Sequence, residues 1–133
     1  MENNLYICSV NYMTMEPICT LKEVYKQLYK FEKEFSAEND ITINEAMLLC
    51  CMKDGKELSA GEIYKYIGLS ASRGSKIITA AEKKGFLMRS IAKKDHRQML
   101  FKLSTVGKKK VEQMQKSKVN TKQLYDDILN LLK

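Results

Sequence analysis

The apolar positions of the chain follow two periods. From Pro17 onward, Ile18, Leu21, Val24, Tyr25, Leu28, Phe31 and Phe35 recur every three or four residues, the stripe of an amphipathic helix. Lys22, Glu23, Lys26, Lys30 and Lys33 fill the opposite face. Pro17 is suited to open this helix, because the first turn needs no amide donor. The preceding run, Leu5 to Tyr12, is apolar and partly β-branched, and fits either an extended arm or a helix start. Asn39-Asp40 marks a turn. Thr42 or Asn44 then caps a helix from Glu45 to Met52, with Ala46, Leu48, Leu49 and Met52 inward and Lys53-Asp54-Gly55-Lys56 as its stop.

The middle of the chain, Glu57 to Leu103, changes period twice. Ser59 stands three residues before Glu62 and just ahead of Ile63, Tyr66 and Ile67, which predicts a capping box and a helix over about 60–67. Gly68 supplies the left-handed residue that ends it. Ser70 caps a second helix that runs to Lys84 and stops at Gly85. Its apolar residues, Ile77, Ile78, Ala80 and Ala81, lie in the middle and end, whereas its first turns carry Ser70, Ser72, Arg73, Ser75 and Lys76. Two short apolar runs follow, Phe86 to Met88 and Met99 to Leu103, flanking the polar tip 92–97. They predict a hairpin, with Met99, Phe101 and Leu103 on one side. Helix, tight turn, helix and basic hairpin together outline a winged helix-turn-helix.

At the C-terminal end, Ser104 caps a basic helix containing Lys108, Lys109, Lys110, Val111 and Met114. The lysine run reads as a solvated face ahead of a phosphate contact. Lys116-Ser117-Lys118 breaks the helix, and a last one starts near Asn120 or Thr121 with a stripe of Leu124, Tyr125, Ile128, Leu131 and Leu132. The fold class expected is mainly α with a small β-hairpin wing (α+β), in one compact domain. Within it, residues 1–40 are expected to form an arm and a helix, 41–104 the winged lobe, and 105–133 the C-terminal helices.

Charge sharpens this picture. The 133-residue chain has net charge +7, but Ser70 to Lys110 holds twelve basic and two acidic residues, net +10, and the rest is net −3. A positive field confined to the proposed reading head suits a polyanion. In a helix-turn-helix the second helix presents its N-terminal residues to base edges in the major groove. Arg73 has the fork for a bidentate contact to guanine, and the serines can bond phosphates or bases. At the hairpin tip, Lys93, Lys94, His96 and Arg97 surround Asp95, the arrangement of a wing that places an arginine in the minor groove. The carboxylate can pair with a nearby arginine and fix the loop.

These residues resemble the MarR (multiple antibiotic resistance regulator) family. The match lies in Leu69-Ser70-Ala71-Ser72-Arg73, in Glu82-Lys83-Lys84-Gly85-Phe86-Leu87, in Asp95-His96-Arg97, and in Leu103-Ser104 with Gly107, and it covers about 41–111. The resemblance implies a homodimer reading palindromic double-stranded DNA, with the outer helices as the interface. Ile18, Leu21, Val24, Tyr25, Leu28, Leu124, Ile128 and Leu131 would build that interface. Ser70, Ser72, Arg73, Ser75 and Lys76 would lie at the major groove, Arg97 in the minor groove, and Asp95 beside it. The resemblance also allows a small aromatic effector, or oxidant sensing through a cysteine near the N-terminus, for which Cys19 is the candidate. An inert thiol is the simpler reading of Cys19, since only Lys22 lies near it in sequence. Two departures stand out: Gly74 inside the recognition helix, for which a close approach to DNA is one explanation, and Ala81 where a large aliphatic residue is usual.

Other function classes find little support. No nucleophile elbow, phosphate loop or metal-ligand cluster is present, so an enzyme is not expected, and neither a cofactor nor a metal is required. Cys8, Cys19, Cys50 and Cys51 have no C-x-x-C spacing and read as reduced thiols, Cys50 and Cys51 in the core. Without an eighteen-residue apolar run or a signal peptide, the chain is expected in the cytoplasm and off the membrane. The alternatives to a DNA-binding repressor are a redox or ligand sensor on this scaffold, and a winged helix that binds protein.

Overall fold

The structure is a computed structural model that describes residues 12–91 and 98–132, with side chains from residue 17 onward. The chain divides into two compact units. One is Asn39–Ser117; the other joins the residues up to Glu38 with those from Lys118 on.

The central unit begins with α2 (Ile43–Cys51). Thr42 is its cap: Thr42 Oγ1 accepts from the Glu45 amide at 3.1 Å, and Glu45 Oε1 accepts from the Thr42 amide at 3.0 Å. This reciprocal pair settles the choice between Thr42 and Asn44. Then come β1 (Leu58–Ser59), α3 (Ala60–Ile67), α4 (Ala71–Lys83), β2 (Leu87–Ile91), β3 (Met99–Leu103) and α5 (Thr105–Gln115). The helix-turn-helix pair is bounded as its caps predict. Ser59 and Ser70 are the N-caps, and Gly68, at φ 77°, ends α3 in the left-handed region.

The box expected at Ser59 forms only in half. Ser59 Oγ accepts from the Glu62 amide, but Glu62 Oε1 takes the Ser59 hydroxyl proton at 3.1 Å in place of the Ser59 amide. Ser59 also ends β1, where it lies opposite Leu100. The strands form an antiparallel sheet in the order β1-β3-β2, with Leu87 opposite Leu103 and Ile91 opposite Met99.

The core of this unit is built from one side of each element. Leu48, Leu49 and Met52 of the α2 region and Ile63 of α3 have no exposed surface. Ile41, Ala46 and Cys51, Ile78 and Ala81 of α4, and Phe86, Leu87, Phe101, Leu103 and Val111 are buried with them. Burying each large side chain stabilises the fold by roughly 1.5–3 kcal/mol, so this cluster is what holds α3, α4 and the sheet in fixed relation. Met99, expected on one side with Phe101 and Leu103, is 37 % exposed, because it pairs with Ile91 at the tip end of the hairpin, away from the buried Leu87–Leu103 end.

The second unit contains α1 (Tyr12–Asn39) and α6 (Thr121–Leu131). Pro17 does not open α1 but lies inside it. The helix begins five residues earlier and dispenses with one backbone bond at the proline. Phe31 and Phe35 are buried with ring centroids 5.8 Å apart, and Leu124 is buried as well. The Glu38 carboxylate accepts from the amides of Lys118 (3.1 Å) and Val119 (2.9 Å), which fixes the approach to α6.

Candidate nucleic-acid interface

The face of α4 follows from its periodicity. Gly74, Ile78 and Ala81, spaced by four and three, are buried. The direction opposite them is occupied by Ser72, Lys76, Thr79 and Lys83, with Arg73 and Ser75 on either flank, and all six are exposed. Five of the expected contact residues, Ser70, Ser72, Arg73, Ser75 and Lys76, therefore share one open surface at the start of the helix. Thr79 and Lys83 extend it by two turns. The sequence reading stopped at Lys76, although the spacing of seven from Ser72 to Thr79 carried the signal.

Hydrogen bonding divides the hydroxyls of this surface into two kinds. Ser70 Oγ accepts from the Arg73 amide at 3.3 Å, so its proton stays available. Ser75 Oγ donates to the Ser72 carbonyl at 3.1 Å, and Thr79 Oγ1 donates to the Ser75 carbonyl at 2.9 Å, so these two have spent theirs.

Gly74 has an internal cause. A Cβ built on it would overlap the ring of Tyr64 on α3, with Tyr64 Cγ at 3.2 Å. The glycine lets α4 lie close against α3. This replaces the explanation by approach to DNA, since Gly74 faces the protein and not the open side. Ala81, fully buried, marks a similarly slim contact.

Two ion pairs fix the far end of α4. Lys84 Nζ donates to Glu45 Oε1 at 2.8 Å and ties the C-cap to α2. Burial pushes the Glu45 carboxyl up, but the Lys84 ammonium and the Thr42 amide outweigh it and leave it below its ordinary value. Arg89 on β2 grips Glu82 on α4 with two bonds, Nε to Oε2 at 2.5 Å and Nη2 to Oε1 at 2.8 Å. These bonds hold the Glu82 carboxyl below its ordinary range. The same guanidinium lies 5.3 Å from the centroid of Phe101. Arg89 is thus engaged within the fold and joins α4 to β2. The tip itself, residues 92–97 with Lys93, Lys94, Asp95, His96 and Arg97, lies outside the described residues.

The other expected sites are distributed as follows. Ile18, Leu21, Tyr25 and Leu28 are exposed along α1, and Val24 is half-buried. On α6, Leu124 is buried within its unit, Ile128 and Leu131 are half-buried, and Tyr125, Leu129 and Leu132 are exposed. Cys51 is buried, but Cys50 is exposed and is not a core thiol: with Met47, three residues earlier, it faces outward from α2. Burial and the neighbouring Cys50 push the Cys51 thiol up to about 11. Cys19, expected as a reduced thiol, is half-buried and disulfide-bonded. Among the described residues there is no group of three metal-ligating side chains, and no helix long and apolar enough to cross a membrane.

Residues 41–99 match the family model for the MarR family. No curated protein matches the chain. Similar solved structures include a mutant of MarR from E. coli complexed with operator DNA. It has TM-score 0.70 and 19 % identity, over 87 % of this chain and 84 % of that one. BpsR of Bordetella bronchiseptica, solved for the regulation of its DNA binding by 6-hydroxynicotinic acid, has TM-score 0.65 and 18 % identity, over 83 % and 74 %. NadR in complex with 4-hydroxyphenylacetate has TM-score 0.63 and 20 % identity, over 87 % and 79 %. At these identities the structural likeness speaks to the fold, and the family model speaks to the lineage of the central unit. The chain carries, over residues 41–99, a MarR-family winged helix-turn-helix domain.

Proposed function

We propose that this protein is a DNA-binding transcriptional regulator, a homodimeric repressor that reads a palindromic operator through α4 and the wing at 92–97. The observation that carries the reading is the open face of α4. Ser72, Arg73, Ser75, Lys76, Thr79 and Lys83 project together from a helix whose other side is locked into the core and whose end is tied to the wing strand. The E. coli relative was solved on operator DNA. Binding rather than catalysis fits this surface of donors and cations. Dimerisation would cover the apolar residues left open on α1 and α6, and would give the two-fold symmetry that half-sites one helical turn apart require.

The test is equilibrium binding to duplex DNA across a salt series. Phosphate-dominated binding falls as a steep power of salt concentration. Affinity that ignores salt would contradict the reading and favour a protein-binding winged helix.

A second element of the reading is a small aromatic effector. An open groove of about 760 Å³ runs along α1, lined by Lys22, Tyr25, Lys26, Tyr29, Lys30 and Lys33, with Glu34 as its one acid. Two phenol rings among four cations suit an aromatic carboxylate, the chemistry of the ligands named for BpsR and NadR. Adding 4-hydroxyphenylacetate should weaken DNA binding by the parent and leave a Tyr29→Ala, Lys26→Ala variant unaffected. No effect on the parent at millimolar concentration would remove this ligand class.

A further inference from the structure

The hydroxyls of the recognition helix carry information about which base they can read. A serine or threonine hydroxyl has one proton to give and two lone pairs to offer. Ser75 gives its proton to the Ser72 carbonyl and Thr79 gives its own to the Ser75 carbonyl, one turn back in each case. Both side chains stand on the exposed surface of α4, so their oxygens face outward as acceptors. Ser72, Ser75, Lys76 and Thr79 have the spacing i, i+3, i+4, i+7, which lines one face of a helix lying in a major groove.

Acceptors discriminate sharply among the partners a major groove presents. Phosphate oxygens, guanine O6 and N7, and thymine O4 are themselves acceptors and offer these oxygens nothing. Only the exocyclic amino groups of adenine (N6) and cytosine (N4) donate there. To bond a phosphate or guanine, Ser75 or Thr79 would first have to give up its bond to the helix. Ser70 is the opposite case, with one lone pair taken by the Arg73 amide and its proton free, and so suits a phosphate oxygen.

We propose that Thr79 is a specificity-determining residue and that, with Ser75, it reads the exocyclic amino group of an adenine or cytosine. This rests on the proposal that α4 lies in a major groove. It adds a residue beyond the first two turns and fixes the polarity of the contact. Arg73 takes the complementary part, donating to guanine.

The experiment selects bound duplexes from a randomised pool with the full chain and with Thr79→Val, which is isosteric, keeps a methyl group and removes the oxygen. Thr79→Ser keeps the oxygen and removes the methyl group. Helical content by circular dichroism and affinity for random DNA control for folding. The parent and Thr79→Ser should both require adenine or cytosine at one position of the half-site, and Thr79→Val should lose that requirement alone. Replacing the adenine by purine, or the cytosine by pyrimidin-2-one, deletes only the amino group. That deletion should weaken the parent about tenfold or more and leave Thr79→Val unchanged. If the parent selects a half-site and Thr79→Val selects the same one, or if the amino deletion costs the parent nothing, Thr79 does not read the base and the inference fails. A selected half-site in which the Thr79-dependent position is guanine also overturns it. If the parent enriches no sequence at all, the DNA-reading function itself is refuted, and this inference with it.

Discussion

Gly74→Ala gives the sharpest test of how α4 is held. In an exposed helix interior, replacing glycine by alanine stabilises by roughly 1 kcal/mol. At residue 74 the new Cβ overlaps the Cδ1–Cε1 edge of the Tyr64 ring, and the contact extends toward Cγ, near the root of the side chain, so rotation of the ring tip alone does not relieve it. Overpacking of this kind costs about 1–3 kcal/mol. The two effects leave Gly74→Ala between no gain and a net loss of about 2 kcal/mol, with more for Gly74→Val. Gly61 on α3 is the built-in control, because it is exposed and has no heavy atom within 4 Å of the added Cβ. Gly61→Ala should stabilise by about 0.5–1 kcal/mol. Urea denaturation of both variants, and of Gly74→Ala in a Tyr64→Ala background, measures the coupling directly. The penalty at 74 should vanish once the ring is gone. If Gly74→Ala raises stability as Gly61→Ala does, and affects only DNA affinity, then the ring contact is not the reason for glycine, and the approach-to-DNA explanation returns.

The remaining predictions concern charge and chemistry. Arg97→Ala should weaken DNA binding without lowering the denaturation midpoint. Arg73→Ala should relax sequence preference more than it lowers affinity for random duplex, so equal losses on specific and random DNA would count against base reading by Arg73. Glu45 and Glu82 both have carboxyls lowered by folding. Their stabilisation is complete above the unfolded carboxylate value near 4.5 and is lost as pH falls through the lower folded values. Stability should therefore decline below about pH 4.5, and Glu45→Gln should flatten that decline in a series of denaturation curves. At neutral pH a maleimide should label exposed Cys50 well before buried Cys51, as read by peptide mass mapping, because the Cys51 thiol is held at about 11.

Much of the central unit was legible because its signals are local. Ser59, Gly68 and Ser70 are caps whose residue types dictate helix ends, and the period of Ile77, Ile78 and Ala81 sets the buried side of α4. What could not be read came from contacts between elements. The two-residue strand β1 has too few positions to alternate, and exists because Leu58 and Ser59 meet Phe101 and Leu100. Tyr64 lies ten residues before Gly74, and no periodicity announces that they touch. Nothing local in the sequence assigns partners to Glu82, Lys84 and Arg89, yet Lys84 reaches a carboxylate on α2 and Arg89 holds one on α4. Pro17 misled for a different reason: proline favours a helix start but does not forbid the earlier turn that α1 adopts. Cys50 was assigned to the core from hydrophobicity alone, whereas its angle on α2, one turn from Met47, points it outward.

The central claim is that α4 and the adjoining wing grip neighbouring grooves of one duplex, twice over, in a two-fold assembly. Hydroxyl-radical and dimethyl sulfate footprinting of the full chain on its selected duplex tests this most directly. The account predicts two protected major-groove windows about 10–10.5 base pairs apart, symmetric about their midpoint and each bordered by minor-groove protection that Arg97→Ala removes. A single asymmetric window, or protection that Arg73→Ala and Arg97→Ala both leave intact, would contradict it.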